Sequence, residues 1–131
     1  MLTPTALAVL NNTLFVANFS GKPSGIGKIK ADFITGLDGP FGLAVTGNHL
    51  FVSDFWSNKV GEYNAITGEV INAAFIKGLS HPQGLALSGN CLFVANQSSG
   101  SIGEYNAATG APIKTDFITG LSQPTGIAVK N

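Results

Sequence analysis

His, Cys, Asp and Glu, the side chains that most often act as catalytic acids, bases or thiol nucleophiles, are few in this 131-residue chain: two are His, one is Cys and seven are Asp or Glu. The imidazole of His titrates near neutral pH, so His81 is the first candidate for a general acid or base. No carboxylate stands beside it in the sequence, and no G-x-S-x-G motif supplies a nucleophile. The residues therefore favour a non-enzymatic protein, with His81 as the one candidate catalytic residue.

Asn18, Asp54 and Asn96 each end a copy of the run L-F-V-[AS], so they occupy one equivalent position. Their oxygens, joined by Asp38, could hold a hard cation such as calcium, which would make a hydrolase or lyase the alternative function. The competing interpretation is structural, because Asn and Asp side chains commonly accept hydrogen bonds from loop backbone. We prefer the structural interpretation, which needs no cofactor, since Asp54 is the only carboxylate among the three equivalent residues.

Aromatic and amide side chains close to these positions are candidates for ligand binding. Phe55 and Trp56 are adjacent in sequence, Gln83 lies in the loop that enters the third repeat, and Gln97 follows the end of the second strand of that repeat. Adjacent aromatic rings on a loop are typical of binding surfaces, where flat rings contact sugars or partner side chains. The sequence predicts a small polar ligand, a protein or a carbohydrate at this place. The alternative is that one of the two rings packs onto the sheet beneath it.

Composition excludes several classes of protein. Charged residues make up 11% of the chain, the formal net charge is zero and no Arg is present, so little would neutralise the phosphates of a nucleic acid. One Cys cannot form an internal disulfide. No apolar run approaches the roughly 20 residues that span a bilayer, and no signal peptide is recognisable. A membrane or nucleic-acid partner is therefore not expected, and the localisation stays open.

The secondary structure that carries these residues is organised as an internal repeat. Residues 36–77 align without a gap on residues 78–119, with about half of the positions identical. A shortened copy covers about 3–35, and a fragment covers 120–131. Such a fixed period indicates stacked copies of one structural unit. We expect one repeat domain over 1–131, made of three units and a fragment.

Each repeat has the periodicity of strands. In the third repeat we predict strands over 84–88, 91–96, 101–105 and 113–118, joined by a two-residue turn at Gly89-Asn90 and a loop over 106–110. No segment keeps a 3.6-residue period for ten residues, so no helix is expected. Four antiparallel strands in about 40 residues make one blade of a β-propeller. In this arrangement Glu62 and Glu104, in the repeated G-E-Y-N, are structural residues that are exposed or paired with Lys, and His49 is a strand residue.

The repeats resemble the NHL class of β-propellers. The resemblance is carried by P-x-G-[LI]-A-[VL] at 40–45, 82–87 and 124–129, and by L-F-V-[AS]-[ND] at 50–54 and 92–96. It implies blades of a ring that usually has six, in proteins that serve as interaction scaffolds, nucleic-acid binders or calcium-dependent hydrolases and lyases. The absence of Arg departs from the basic, nucleic-acid-binding members.

Three blades are half of a six-bladed ring, and they leave one blade face bare at each end. Large bare apolar faces mark association sites, and two copies related by a two-fold axis would cover both. We therefore predict an all-β half-propeller that closes its ring as a homodimer, and a scaffold or binding module as its function. Residues 126–129 would then be a surplus inner strand, which is unpaired, is exchanged between copies or begins a further blade of a longer chain.

Overall fold

The computed structural model describes residues 4–11, 13–18, 25–27 and 33–130. Within these ranges the secondary structure is all β, and no helix has the length and apolar character that a bilayer crossing would need. The strands are β1 Pro4–Leu10, β2 Thr13–Asn18, β3 Gly25–Gly27, β4 Ile34–Thr35, β5 Pro40–Thr46, β6 His49–Asp54, β7 Lys59–Asn64, β8 Val70–Ile76, β9 Pro82–Ser88, β10 Cys91–Asn96, β11 Ser101–Asn106 and β12 Pro112–Ile118.

The strands form three separate four-stranded antiparallel sheets, which we call blades 1, 2 and 3. Their orders are β1-β2-β3-β4, β5-β6-β7-β8 and β9-β10-β11-β12, so each sheet is a meander of consecutive strands. The four strands predicted in the third repeat are confirmed, with small extensions at Pro82, Asn106 and Pro112. The predicted all-β propeller fold is therefore confirmed.

The tight turns form because the sequence supplies residues that tolerate a positive φ. Gly47 and Gly89 stand first in the two-residue turns after β5 and β9, with φ of 54° and 56°. Asn11 takes the equivalent place after β1 at 53°, and Asn is the residue that best replaces Gly in this conformation. These turns set the register in which β6 and β10 return along the inner strands.

The repeated G-E-Y has a packing explanation. The Tyr63 ring lies over Gly61, two residues earlier on β7, where an added Cβ would come within 2.7 Å of the ring. Tyr105 covers Gly103 in the same way on β11. Residues two apart point to one face of a strand, so a glycine is needed to leave room for the ring. Burial raises the pKa of both Tyr hydroxyls.

Two apolar cores lie between the blades rather than inside one of them. The first joins Phe15 and Ile34 of blade 1 to Leu50 of blade 2, and the second joins Phe51 and Phe75 of blade 2 to β9 and β10. Each sheet has two apolar faces, so it must be covered by a neighbour to bury them. The chain is therefore stabilised at its blade junctions.

Inner strands approach each other closely at glycines. A Cβ at Gly42 would overlap the carbonyl oxygen of Gln83 on β9, and a Cβ at Gly84 would lie 2.7 Å from the carbonyl oxygen of Thr125. The segment 124–130 therefore lies beside β9 as β9 lies beside β5. It takes the place of a fourth inner strand, although its backbone is not paired as a strand among the described residues.

Candidate functional site

The candidate residues lie where the loop that enters each blade meets the end of that blade's second strand. In blade 2 the backbone N–H of Phe55 donates to the Gly39 carbonyl at 2.9 Å. In blade 3 the N–H of Gln97 donates to the His81 carbonyl at 3.1 Å. These bonds hold the entry loop and the strand end together, so residues 16 positions apart in sequence become neighbours.

Asp54 closes the entry loop of blade 2. Both carboxylate oxygens lie 3.0 Å from the backbone N–H of Asp38, which donates to them. Asp54 is only 2% exposed, and burial raises the pKa of its carboxyl group, against the opposing effects of the Asp38 N–H, the Ser57 hydroxyl and Lys59. The equivalent Asn96 accepts a bond from the Ser80 N–H at 3.4 Å. These bonds are the ones that the structural interpretation predicts.

The metal candidates are only partly brought together. Asp38 and Asp54 are neighbours, whereas Asn18 and Asn96 belong to blades 1 and 3. In the described part of the chain, no three His, Cys, Asp or Glu side chains form a group that could hold a metal ion. A calcium site at these four residues stays a prediction.

His81 is held rigidly at the start of blade 3. Its φ is 52°, in the left-handed region, and the equivalent Gln123 has 50°. The backbone N–H donates to Oδ1 of Asn58 at 2.8 Å, and the ring Nδ1 is hydrogen-bonded to the Ser98 hydroxyl. No carboxylate takes part in these bonds, so among the described residues they give His81 no acidic partner that would activate it as a base.

Four rings from blades 2 and 3 meet at this place, and we call them the aromatic cluster: Phe41, Phe55, Trp56 and His81. The His81 ring stacks on Phe55 with centroids 4.4 Å apart and an interplanar angle of 18°. Phe41 lies 5.1 Å from Phe55. Trp56 stands nearly perpendicular to both Phe55 and His81, at 88° and 80°. Sequence reasoning treated His81 and Trp56 as separate candidates, and the stacking of the blades joins them.

The two amide candidates differ in their surroundings. Gln83 is almost fully buried, and its main-chain carbonyl, not its side-chain amide, accepts a hydrogen bond from the Ser53 hydroxyl across the junction of blades 2 and 3. Gln97 is half-buried beside the His81 main chain. A role for Gln83 and Gln97 in ligand binding stays a prediction.

Sequence reasoning missed a pair at the opposite end of blade 2. Nδ1 of His49 lies 2.7 Å from Oε1 of Glu62, which is buried, so the expectation that Glu62 is exposed or paired with Lys was wrong. His49 and Glu62 form a diagonal pair on β6 and β7, since Glu62 stands opposite Phe51 and His49 stands opposite Asn64. In blade 3 the equivalent pair is Cys91 and Glu104, whose hydrogen bond raises the pKa of the Cys91 thiol. The strand pairing was the signal that could have found both pairs.

No protein-family model matches the sequence, and no curated protein sequence is similar to it. Solved structures match it instead. The computationally designed Ika8 protein is 19% identical with a TM-score of 0.68, and the match covers 98% of this chain and 40% of Ika8. The designed Ika4 protein is 20% identical with a TM-score of 0.68, and the match covers 98% of this chain and 81% of Ika4.

A natural protein with a similar structure is virginiamycin B lyase from Staphylococcus aureus, at 17% identity and a TM-score of 0.66. The match covers 95% of this chain and 45% of the lyase, so this chain spans less than half the length of that enzyme. Likeness at such low identity concerns the fold alone. Together with the three antiparallel sheets, it shows that the chain is built from blades of a β-propeller.

Proposed function

We propose that this protein is a non-enzymatic propeller scaffold that closes its ring by binding a second copy of itself. The observation that carries the proposal is the bare apolar face at each end of the three-blade arc. NHL-like blades, which the sequence pattern favours, most often number six in a ring, and two copies of three would supply them.

The bare face of blade 3 is visible by comparison with blade 2. Phe51 and Phe75 pair at 5.2 Å in blade 2, and Phe93 and Phe117 pair at 5.4 Å in blade 3. Phe75 is 8% exposed because blade 3 covers it, whereas the equivalent Phe117 is 44% exposed. Beside Phe117 an apolar cavity of about 490 Å³ opens between the sheet and the segment 124–130. This face lacks the blade that would fill it.

Blade 1 likewise has an apolar face that no neighbouring blade covers. Leu14 is 43% exposed, whereas the equivalent Leu50 and Leu92 are completely buried against the preceding blade. Leu7, on the same face, is also largely exposed. Burying a side chain of this size contributes about 1.5–3 kcal/mol, so both faces favour a partner.

A second copy fits because the contact between blades that it would make already occurs at both junctions within the chain. Blade 1 covers Leu50 of blade 2, and blade 2 covers Leu92 of blade 3. Blade 3 of one copy would cover Leu14 of the other in the same way, with the segment 124–130, which lies at the place of the incoming inner strand, displaced or exchanged between the copies. A two-fold axis then produces two identical junctions and a closed ring. The low charge of the chain offers little repulsion against this contact.

The test is the mass in solution, measured by size-exclusion chromatography with light scattering. We expect twice the chain mass of 13.5 kDa for the wild type. Leu14→Asp and Phe117→Asp each place a charge in both junctions and should give monomers. Val70→Asp, at an exposed apolar position on the outer strand of blade 2, is the matched control and should stay dimeric.

Mixing the two variants sharpens the test. The Phe117 face of the Leu14→Asp chain and the Leu14 face of the Phe117→Asp chain are both intact, so the mixture can form one wild-type junction. We expect the mixture to associate although neither variant does so alone. A monomeric, folded wild type, or a dimer that both variants leave intact, would contradict the proposal.

A further inference from the structure

The four rings of the aromatic cluster are not repeated as a set in blade 3. In blade 3 the positions equivalent to Phe41, Phe55 and Trp56 hold polar residues, and the position equivalent to His81 holds Gln in the next entry loop. Those residues are Gln83, Gln97, Ser98 and Gln123. Blade 3 forms the same sheet with polar residues at these positions, so an exposed ring such as Trp56 is not needed to form a blade.

The cluster presents one ring to solvent on a rigid base. Trp56 is 56% exposed, whereas Phe55 beneath it is buried. Edge-to-face contacts with Phe55 and His81, at centroid distances of 4.8 Å and 5.5 Å, hold the indole in its orientation. An aromatic side chain fixed in this way offers contact area at a low entropic cost.

Polar groups next to the indole are held in place as well. Nδ1 of His81 is hydrogen-bonded to Ser98 and its backbone N–H to Asn58, so the imidazole cannot turn without breaking both the bond to Ser98 and the stack on Phe55. Among the described residues nothing is hydrogen-bonded to Nε2, the second ring nitrogen, and this atom can bond a ligand hydroxyl. Ser98 adds a hydroxyl within the same small area.

We propose that the aromatic cluster binds a neutral pyranose unit of an oligosaccharide, with Trp56 stacked on the sugar ring and His81 bonded to a hydroxyl. A sugar presents an apolar C–H face and a rim of hydroxyls, which match an exposed indole beside hydrogen-bonding side chains. His81 is the single ionisable member of the cluster, and no Arg exists in the chain to bind a carboxylate or phosphate in bidentate fashion. An uncharged ligand therefore fits better than an acidic one.

This site is independent of the proposed ring closure. All four rings belong to blades 2 and 3 of one chain, and the contacts that hold them cross the junction inside that chain. A monomer would therefore bind the sugar as the dimer does, and the two proposals can fail separately.

The probe is the fluorescence of Trp56, the only Trp in the protein. The full chain is titrated with cellotetraose, maltotetraose, mannotetraose and chitotetraose, and binding is measured in parallel by calorimetry. We expect at least one of the four to shift the Trp56 emission. Trp56→Ser, which copies the residue of blade 3, should lower the affinity for that sugar by about tenfold or more while the protein stays folded.

Two further variants separate stacking from general disturbance. Trp56→Phe keeps an aromatic face and should retain part of the affinity, and His81→Gln copies Gln123, which adopts the same φ, and should weaken binding severalfold without unfolding. Val70→Ser, at an exposed position on β8 that contacts none of the four rings in these pairs, should bind as the wild type does. The proposal is overturned if none of the four sugars binds or if Trp56→Ser binds equally well.

Discussion

At the scale of single residues, Asp54 and Asn96 perform the same structural task with chemically different side chains. Each accepts a bond from the backbone of its entry loop, but only Asp54 carries a carboxyl group into a buried position. Burial disfavours the charged form, and this is why its pKa is raised. Bonding to the loop backbone therefore explains why Asp or Asn stands at this position. Burial of the charged form of Asp54 is unfavourable, and this penalty is specific to blade 2.

Asp54→Asn should change the dependence of stability on pH. Because the folded pKa is raised, the protonated form is favoured by folding, and the wild type loses this contribution as pH rises from the unfolded value of 3.8 through the folded pKa. The variant has no such group, and Asn already works at position 96. We expect its stability relative to the wild type to increase with pH through this range, measured by urea unfolding at several pH values.

Asp116→Asn is the control for the loss of one negative charge, because Asp116 is exposed on β12. It should show no comparable trend. A stability difference between Asp54→Asn and the wild type that is the same at every pH would contradict the assignment of a raised Asp54 pKa.

At the scale of the element, each strand combines local pattern with packing against a neighbour. The turns at Gly47 and Gly89 could each be predicted from two residues, since a positive φ is a requirement of the local backbone. The G-E-Y repeat could be found in the sequence but not explained there. Its reason is that the Tyr ring folds back over its own strand, which only the side-chain positions reveal.

Gly61→Ala should destabilise the protein by about 1–3 kcal/mol, because the new methyl group meets the Tyr63 ring. Gly126→Ala is the control, since nothing lies within 4 Å of its added Cβ. In a Tyr63→Ala background the cost of Gly61→Ala should largely disappear, as measured by a double-mutant cycle of urea unfolding. Equal costs in both backgrounds would show that the ring is not the cause.

At the scale of the whole molecule, three blades form two complete junctions, and the outer face of the blade at each end is uncovered. Equivalent residues make this visible, since Leu14 and Phe117 are exposed where Leu50 and Phe75 are buried. A protein built in this way gains stability from whatever covers its ends.

Thermal stability should therefore depend on protein concentration. If a second copy covers the end faces, mass action raises the Tm of the wild type as the concentration increases. Leu14→Asp removes the junction and should unfold at a Tm that is independent of concentration and lower than that of the wild type. A wild-type Tm that stays constant over a hundredfold range of concentration would argue against self-association.

The sequence by itself determined the repeat, the strands and the turns, because each of these depends on a local pattern that recurs along the chain. It also predicted that Asp54 and Asn96 bond the loop backbone, since short polar side chains at strand ends do this in many folds. Only the tertiary structure decided which distant residues meet. His81 joins Phe55 and Trp56, and Glu62 meets His49, because sheet pairing and blade stacking bring together side chains that no spacing in the sequence connects.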